Sequence, residues 1–229
     1  MKKFVPERKA APAAIKGGKN DVTELIFILD KSGSMASLTD DTIGGFNSLI
    51  SKQRGEEGTC LVTTVLFNDS IYLLHDRVPL EEVNEMTREE YVAAGCTALL
   101  DATGETLSRL AEIRRYLRPE DVPSKTLVII TTDGMENSSR EFSRSEVKKI
   151  VETLKEKAGW EFLFLGANID AIDAAEHIGI GAGRAVNYRA DARGTEVMYE
   201  TMSKAVCAFR ANAEIDEDWK DDIENDRKD

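Results

Sequence analysis

The chain is poor in the residues from which zinc sites and Ser-His-Asp triads are built: its 229 residues include two histidines and three cysteines. Cys60, Cys96 and Cys207 are odd in number, far apart and free of CxxC spacing. Neither a disulfide framework nor a cysteine zinc site is expected, and a reducing, cytoplasmic setting fits best. His75 and His177 have no partner at a metal-binding spacing; the first is expected on the surface of an edge strand and the second near a helix end. Long apolar runs are missing too. None approaches the roughly 20 residues of a membrane span, and Pro6, Glu7, Arg8 and Lys9 follow Lys2 and Lys3 where a signal peptide would place its apolar stretch. Positive charge is also in deficit. Lys and Arg number 30 against 42 Asp and Glu, a net charge of −12, which argues against nucleic acid because phosphates call for a concentrated basic field.

What charge there is lies unevenly. Residues 1–20 hold six Lys or Arg against one Glu, with no apolar period, and read as a flexible basic arm. From Glu214 to Asp229 nine acids face three bases. Ile215, Trp219 and Ile223 stand four apart there, so this acidic tail, residues 213–229, is either a short helix docked on the body or a frayed end. Residues 21–212 are left as one domain, and 41% hydrophobic residues suffice for one sizeable core.

Within that domain, strand-like and helix-like segments alternate. ELIFILD (24–30), TLVIITTDG (126–134) and WEFLFLG (160–166) are short apolar runs of the kind buried on both faces of a sheet. CLVTTVLF (60–67) and IYLLHD (71–76) flank Asn68, Asp69 and Ser70, a hairpin signal. Helical spacing links Ile43, Phe46, Leu49 and Ile50, then Leu99 to Leu117, then Val147 to Leu154 behind the capping box SRSE (143–146), and finally Met198 to Phe209. A short helix near Ile172–Ile178 and a weak strand at Ala185–Tyr188 complete the series. This order predicts an α/β fold: a Rossmann-like, doubly wound, mostly parallel sheet with one antiparallel edge strand and helices on both faces.

In such sheets ligands bind at the carboxyl ends of strands, and two strands end alike, FILD at Asp30 and IITTD at Asp133. Two carboxylates emerging at one edge repel each other unless a cation lies between them. In DKSGS the oxygens of Asp30, Ser32 and Ser34 converge if the chain curls, and Gly33 is expected to allow the curl, with Asp30 facing solvent and the ion. Such hard oxygen ligands suit magnesium, with manganese as a substitute. Each residue alone has a plainer role. Ser32 and Ser34 would cap the following helix, Thr97 the helix starting near Ala98, and Asp133 would turn with Gly134.

Together, DKSGSM, Thr97 in GCTALLDA and Asp133 in TTDGMENSS resemble the three-part metal-ion-dependent adhesion site of the von Willebrand factor type A domain, over roughly residues 22–212. Cys96 stands where that family often has glycine. The resemblance implies that Asp30, Ser32, Ser34, Thr97 and Asp133 hold the metal, and that a partner protein's Asp or Glu fills the remaining position, in a stand-alone cytoplasmic domain. Three neutral hydroxyls and only two carboxylates leave the ion enough positive charge to attract that further anion.

Rival chemistries fit the letters less well. A phosphatase of the haloacid dehalogenase type needs a second acid two residues after its first, where Ser32 stands. The glycines of GIGAGRA (179–185) follow a helix and lead into a strand, the reverse of a dinucleotide fingerprint. No Walker loop is present. The expected function is a non-enzymatic interaction module; the alternative is a metal-dependent phosphatase-type hydrolase, since a bound divalent ion is also a Lewis acid.

Overall fold

The computed structural model describes residues 17–18 and 21–228. Of the expected basic arm, everything but Gly17 and Gly18 lies outside the described residues. Gly18 donates its N–H to the Pro123 carbonyl at 3.2 Å.

The chain runs β1 (Val22–Asp30), α1 (Thr39–Gln53), β2 (Thr59–Phe67), β3 (Ile71–Pro79), α2 (Leu99–Arg114), β4 (Lys125–Thr132), α3 (Arg144–Ala158), β5 (Glu161–Gly166), α4 (Ala171–His177), β6 (Ala185–Asn187), α5 (Ala192–Arg210) and α6 (Asp221–Asp226). The strands form one sheet in the order β3-β2-β1-β4-β5-β6. Every pairing is parallel except β2 with β3, the hairpin whose Asn68 side chain accepts the Ser70 N–H at 2.9 Å. The predicted fold class is the one observed. Among the described residues no helix is long and apolar enough to cross a membrane.

The uninterrupted apolar strands follow from the two-sided cover. Along β1, Leu25, Phe27 and Leu29 enter the core shared with α1 and α5, while Ile26 and Ile28 enter the core shared with α2, α3 and α4. All five are fully buried, and each such side chain contributes about 1.5–3 kcal/mol. The capping box opens α3, with Ser143 and Glu146 bonded reciprocally, and Gly159 at φ 68° closes it in the left-handed region that favours glycine.

The acidic tail docks. Ile215 and Ile223 are buried in the core that contains α1 and α5, and Trp219 donates its Nε1–H to the Gly183 carbonyl at 2.9 Å. His75 departs from expectation. It lies on the edge strand but is buried, stacked on Phe46 with rings 8° from parallel and its Nδ1 3.0 Å from Thr64 Oγ1. The segment from Leu80 to Tyr91 folds over this part of the strand, bringing the Asn84 backbone against the ring, so an edge position does not expose it. Burial lowers its pKa below the usual histidine value.

Candidate metal centre

The strand order reverses between β1 and β4: the chain proceeds from β1 outward through β2 and β3, then returns to the other side of β1 with β4. This is the switch point at which a doubly wound sheet opens a crevice. Asp30 is the last residue of β1, Asp133 follows the last residue of β4, and Thr97 stands two residues before α2.

Side chains from all three segments meet there. Ser34 Oγ donates to Asp133 Oδ1 at 2.5 Å and lies 3.1 Å from Ser32 Oγ. Asp30 Oδ1 accepts the Ser32 N–H at 2.7 Å, and its Oδ2 accepts the Thr132 hydroxyl at 2.6 Å. A methyl group on Gly134 would lie 3.2 Å from Thr97 Oγ1 and 3.5 Å from Ser34 Oγ, which puts the threonine hydroxyl beside the serine and Asp133. Burial pushes the pKa of Asp30 up; its hydrogen bonds from Thr132 and Ser32 oppose that, and the nearby Asp133 charge adds to it. Asp133 is likewise raised by burial, against the Ser34 bond.

The capping roles do not account for these hydroxyls. Ser32 makes no side-chain cap bond to the helical turn that follows, and the residue at the N-cap of α2 is Ala98. Thr97, only 3% exposed, bonds Asn137 through its backbone N–H and carbonyl rather than capping the helix. Nor does any protein cation lie within ion-pair distance of Asp30 or Asp133 among the described residues; Lys31, the nearest in sequence, places its Nζ over the Tyr72 ring at 3.7 Å. Two carboxylates and three hydroxyls on a crevice fit a hard divalent cation, which Asp30, Ser32, Ser34, Thr97 and Asp133 would hold. Among the described residues no group of three or more His, Cys, Asp or Glu gathers to offer a different kind of centre.

One local expectation needs correction. Asp30 does not face solvent: it is 0% exposed, because Thr132, Ser32 and the overlying Tyr91, whose hydroxyl donates to the Asp30 carbonyl, enclose it. The chain curls at Gly33 without a positive φ there. The positive φ, 79°, is at Gly95, whose carbonyl accepts the Gly33 N–H at 3.0 Å and whose missing side chain leaves room for the Asp69 carboxylate.

The sequence reading also missed how Thr97 is held. Asn137 Oδ1 accepts the Thr97 N–H at 2.9 Å, and the Asn137 N–H donates to the Thr97 carbonyl at 3.1 Å. The signal was the run of oxygen side chains in TTDGMENSS, read only for its aspartate.

No protein-family profile and no curated protein matches the sequence. Solved structures do match in fold. Proximal thread matrix protein 1 of the mussel byssus, solved with a zinc-occupied MIDAS motif, aligns at a TM-score of 0.54 and 16% identity, over 86% of this chain and 47% of that one. The manganese-loaded TRAP protein of Plasmodium vivax aligns at 0.53 and 18% identity, over 77% and 71%. The vWF domain of the type V pili tip protein from Porphyromonas gingivalis aligns at 0.58 and 9% identity, over 88% and 99%. The chain thus spans about half the length of the mussel protein. Its fold is the von Willebrand factor type A fold.

Proposed function

We propose that this chain is a non-enzymatic, cytoplasmic interaction module that holds one magnesium ion, or manganese in its place, and uses it to capture an Asp or Glu side chain of a partner protein. The observation that carries the reading is the meeting of two buried, mutually repelling carboxylates with three hydroxyls at a switch point where no protein cation lies within ion-pair distance among the described residues. The mussel protein with its zinc-occupied MIDAS motif and the manganese-loaded Plasmodium protein share the fold. When bound, the ion supplies a positive charge that the neutral hydroxyls leave partly unquenched. Calcium binds less well, because the cluster offers few carboxylates.

The surroundings suit such a partner. Residues 32–39 and 91–100, on either side of the crevice, contain no Asp, Glu, Lys or Arg, although 31% of the chain is charged. Met135 and Val92 are exposed at this edge, at 71% and 55%. An arriving carboxylate therefore meets no anion from these two segments, and apolar flanks on the partner find apolar neighbours.

The test is selection of a displayed random-peptide library on the magnesium-loaded protein, with elution by chelator. Enrichment of Asp or Glu at one position, lost on exchange for Asn or Gln, is expected. Eluted peptides without a carboxylate would overturn the reading. Hydrolysis of p-nitrophenyl phosphate at a rate abolished by Asp30→Asn would point to the hydrolase alternative instead.

A further inference from the structure

The N-terminus of α2 is not capped by its own sequence. Ala98 holds the N-cap and has no side-chain oxygen, yet helix N–H groups need acceptors. They find them on the loop after β4. Glu136 Oε2 accepts the Leu100 N–H at 2.9 Å, and Ser139 Oγ accepts the Asp101 N–H at 3.1 Å. The exchange is reciprocal, since Asp101 returns its carboxylate to the same loop and accepts the N–H groups of Arg140, Glu141 and Phe142 at 2.8, 2.9 and 2.8 Å. The end of the loop is seated as well. A methyl group on Gly104 would lie 2.5 Å from the Phe142 ring, so the ring rests directly on the helix backbone.

Glu136 has no oxygen to spare for an ion. Its Oε1 accepts from the Ser138 and Ser139 N–H groups at 2.9 and 2.8 Å, and its Oε2 also accepts the Ser139 hydroxyl at 2.7 Å. It is thus no additional ligand. Thr97 precedes the capped turn and Asp133 precedes the capping loop, so every bond between turn and loop fixes one candidate ligand relative to the other. Both carboxylates also sit where a helix N-terminus favours negative charge.

We infer that Glu136, Ser139 and Asp101 are positioning residues: a cap supplied from another segment, rather than from α2 itself, ties the Thr97 hydroxyl to Asp133 and sets metal affinity without touching the ion. The inference rests on the metal-site reading above. A helix cap of its own at residue 98 would satisfy the same N–H groups but leave only the Asn137–Thr97 pair to join the two loops.

Manganese binding to the full-length chain, followed by electron paramagnetic resonance of the free ion at a temperature where every variant is folded, separates positioning from stability. Glu136→Gln and Asp101→Asn should each weaken manganese about 10- to 100-fold, as loss of an orienting partner does. The double variant should lose more than either single, because after one break the other bonds and the Asn137–Thr97 pair still hold the loops together. Ser143→Ala is the matched control. It removes the cap of α3, away from the ligands, and should lower the melting temperature by about 2–4 °C with manganese affinity unchanged. If Glu136→Gln does not fold, Ser139→Ala removes one bond of the joint and carries the same comparison. Wild-type affinity in the joint variants, or an equal loss in Ser143→Ala, would overturn the inference. No binding by the wild type would instead overturn the metal reading, and the inference with it.

Discussion

Strand β1 carries two carboxylates buried to the same depth, Glu24 near its start and Asp30 at its end, both at 0% exposure. Glu24 is neutralised by the protein. Arg114 donates to its Oε2 at 2.6 Å and Arg77 to its Oε1 at 2.8 Å, and the Arg114 guanidinium lies 4.5 Å from the Trp160 ring centre. Asp30 has hydroxyl and amide donors, a second carboxylate nearby and, among the described residues, no guanidinium or ammonium within ion-pair distance. A buried charge without a counter-charge is costly, so the difference is informative: one end of the strand is complete as folded, and the other is where the proposed cation would sit.

The largest effect should come from breaking the complete end. Glu24→Gln leaves Arg114, itself only 3% exposed, facing a neutral amide, and should destabilise the chain by about 3–5 kcal/mol, the cost of removing one partner from a buried ion pair. Urea unfolding with and without magnesium should give the same loss in both, since this end takes no ion.

Asp30→Asn reverses the pattern. The amide keeps an acceptor for the Ser32 N–H or the Thr132 hydroxyl and removes the unpaired charge. In chelator the variant should therefore melt no lower than the wild type. Magnesium at a hundred times its dissociation constant should stabilise the wild type by about 2.7 kcal/mol and the variant not at all. A variant that melts well below the wild type in chelator would mean that Asp30 serves the fold rather than the ion.

The smallest effect concerns acid. Burial lowers the His75 pKa in the folded state, so the unfolded chain takes up the proton first and stability falls as pH drops from the ordinary histidine value, about 6.5, toward the lowered one. The slope in that window is at most about 1.4 kcal/mol per pH unit, and His75→Gln should flatten it in urea midpoints measured from pH 8 to pH 5. Loss at this edge strand must be subtracted before any acid effect is assigned to the two ends of β1.

The contrast along β1 was only half legible in the letters. The aspartate ending ELIFILD and the one following TLVIITT could be read because buried parallel strands are apolar throughout, and polarity at their ends stands out. The glutamate opening the same run gave no comparable signal, because its partners Arg77 and Arg114 are 53 and 90 residues away. Long-range neutralisation leaves no spacing to find. The cap on α2 was hidden for the same reason, since Glu136 lies 36 residues from the amide it serves and Ala98 marks only that a cap is missing. Docking of Ile215 and Ile223 was decidable only once Trp219 had an acceptor in Gly183, a position that sequence spacing does not supply.

Calorimetric titration of the chelator-stripped wild type and Asp30→Asn with magnesium tests the missing cation most directly. One saturable equivalent in the wild type, absent in Asp30→Asn while Glu24→Asp retains it, is the predicted result. No saturable uptake by the wild type, or the same uptake in Asp30→Asn, would contradict the account.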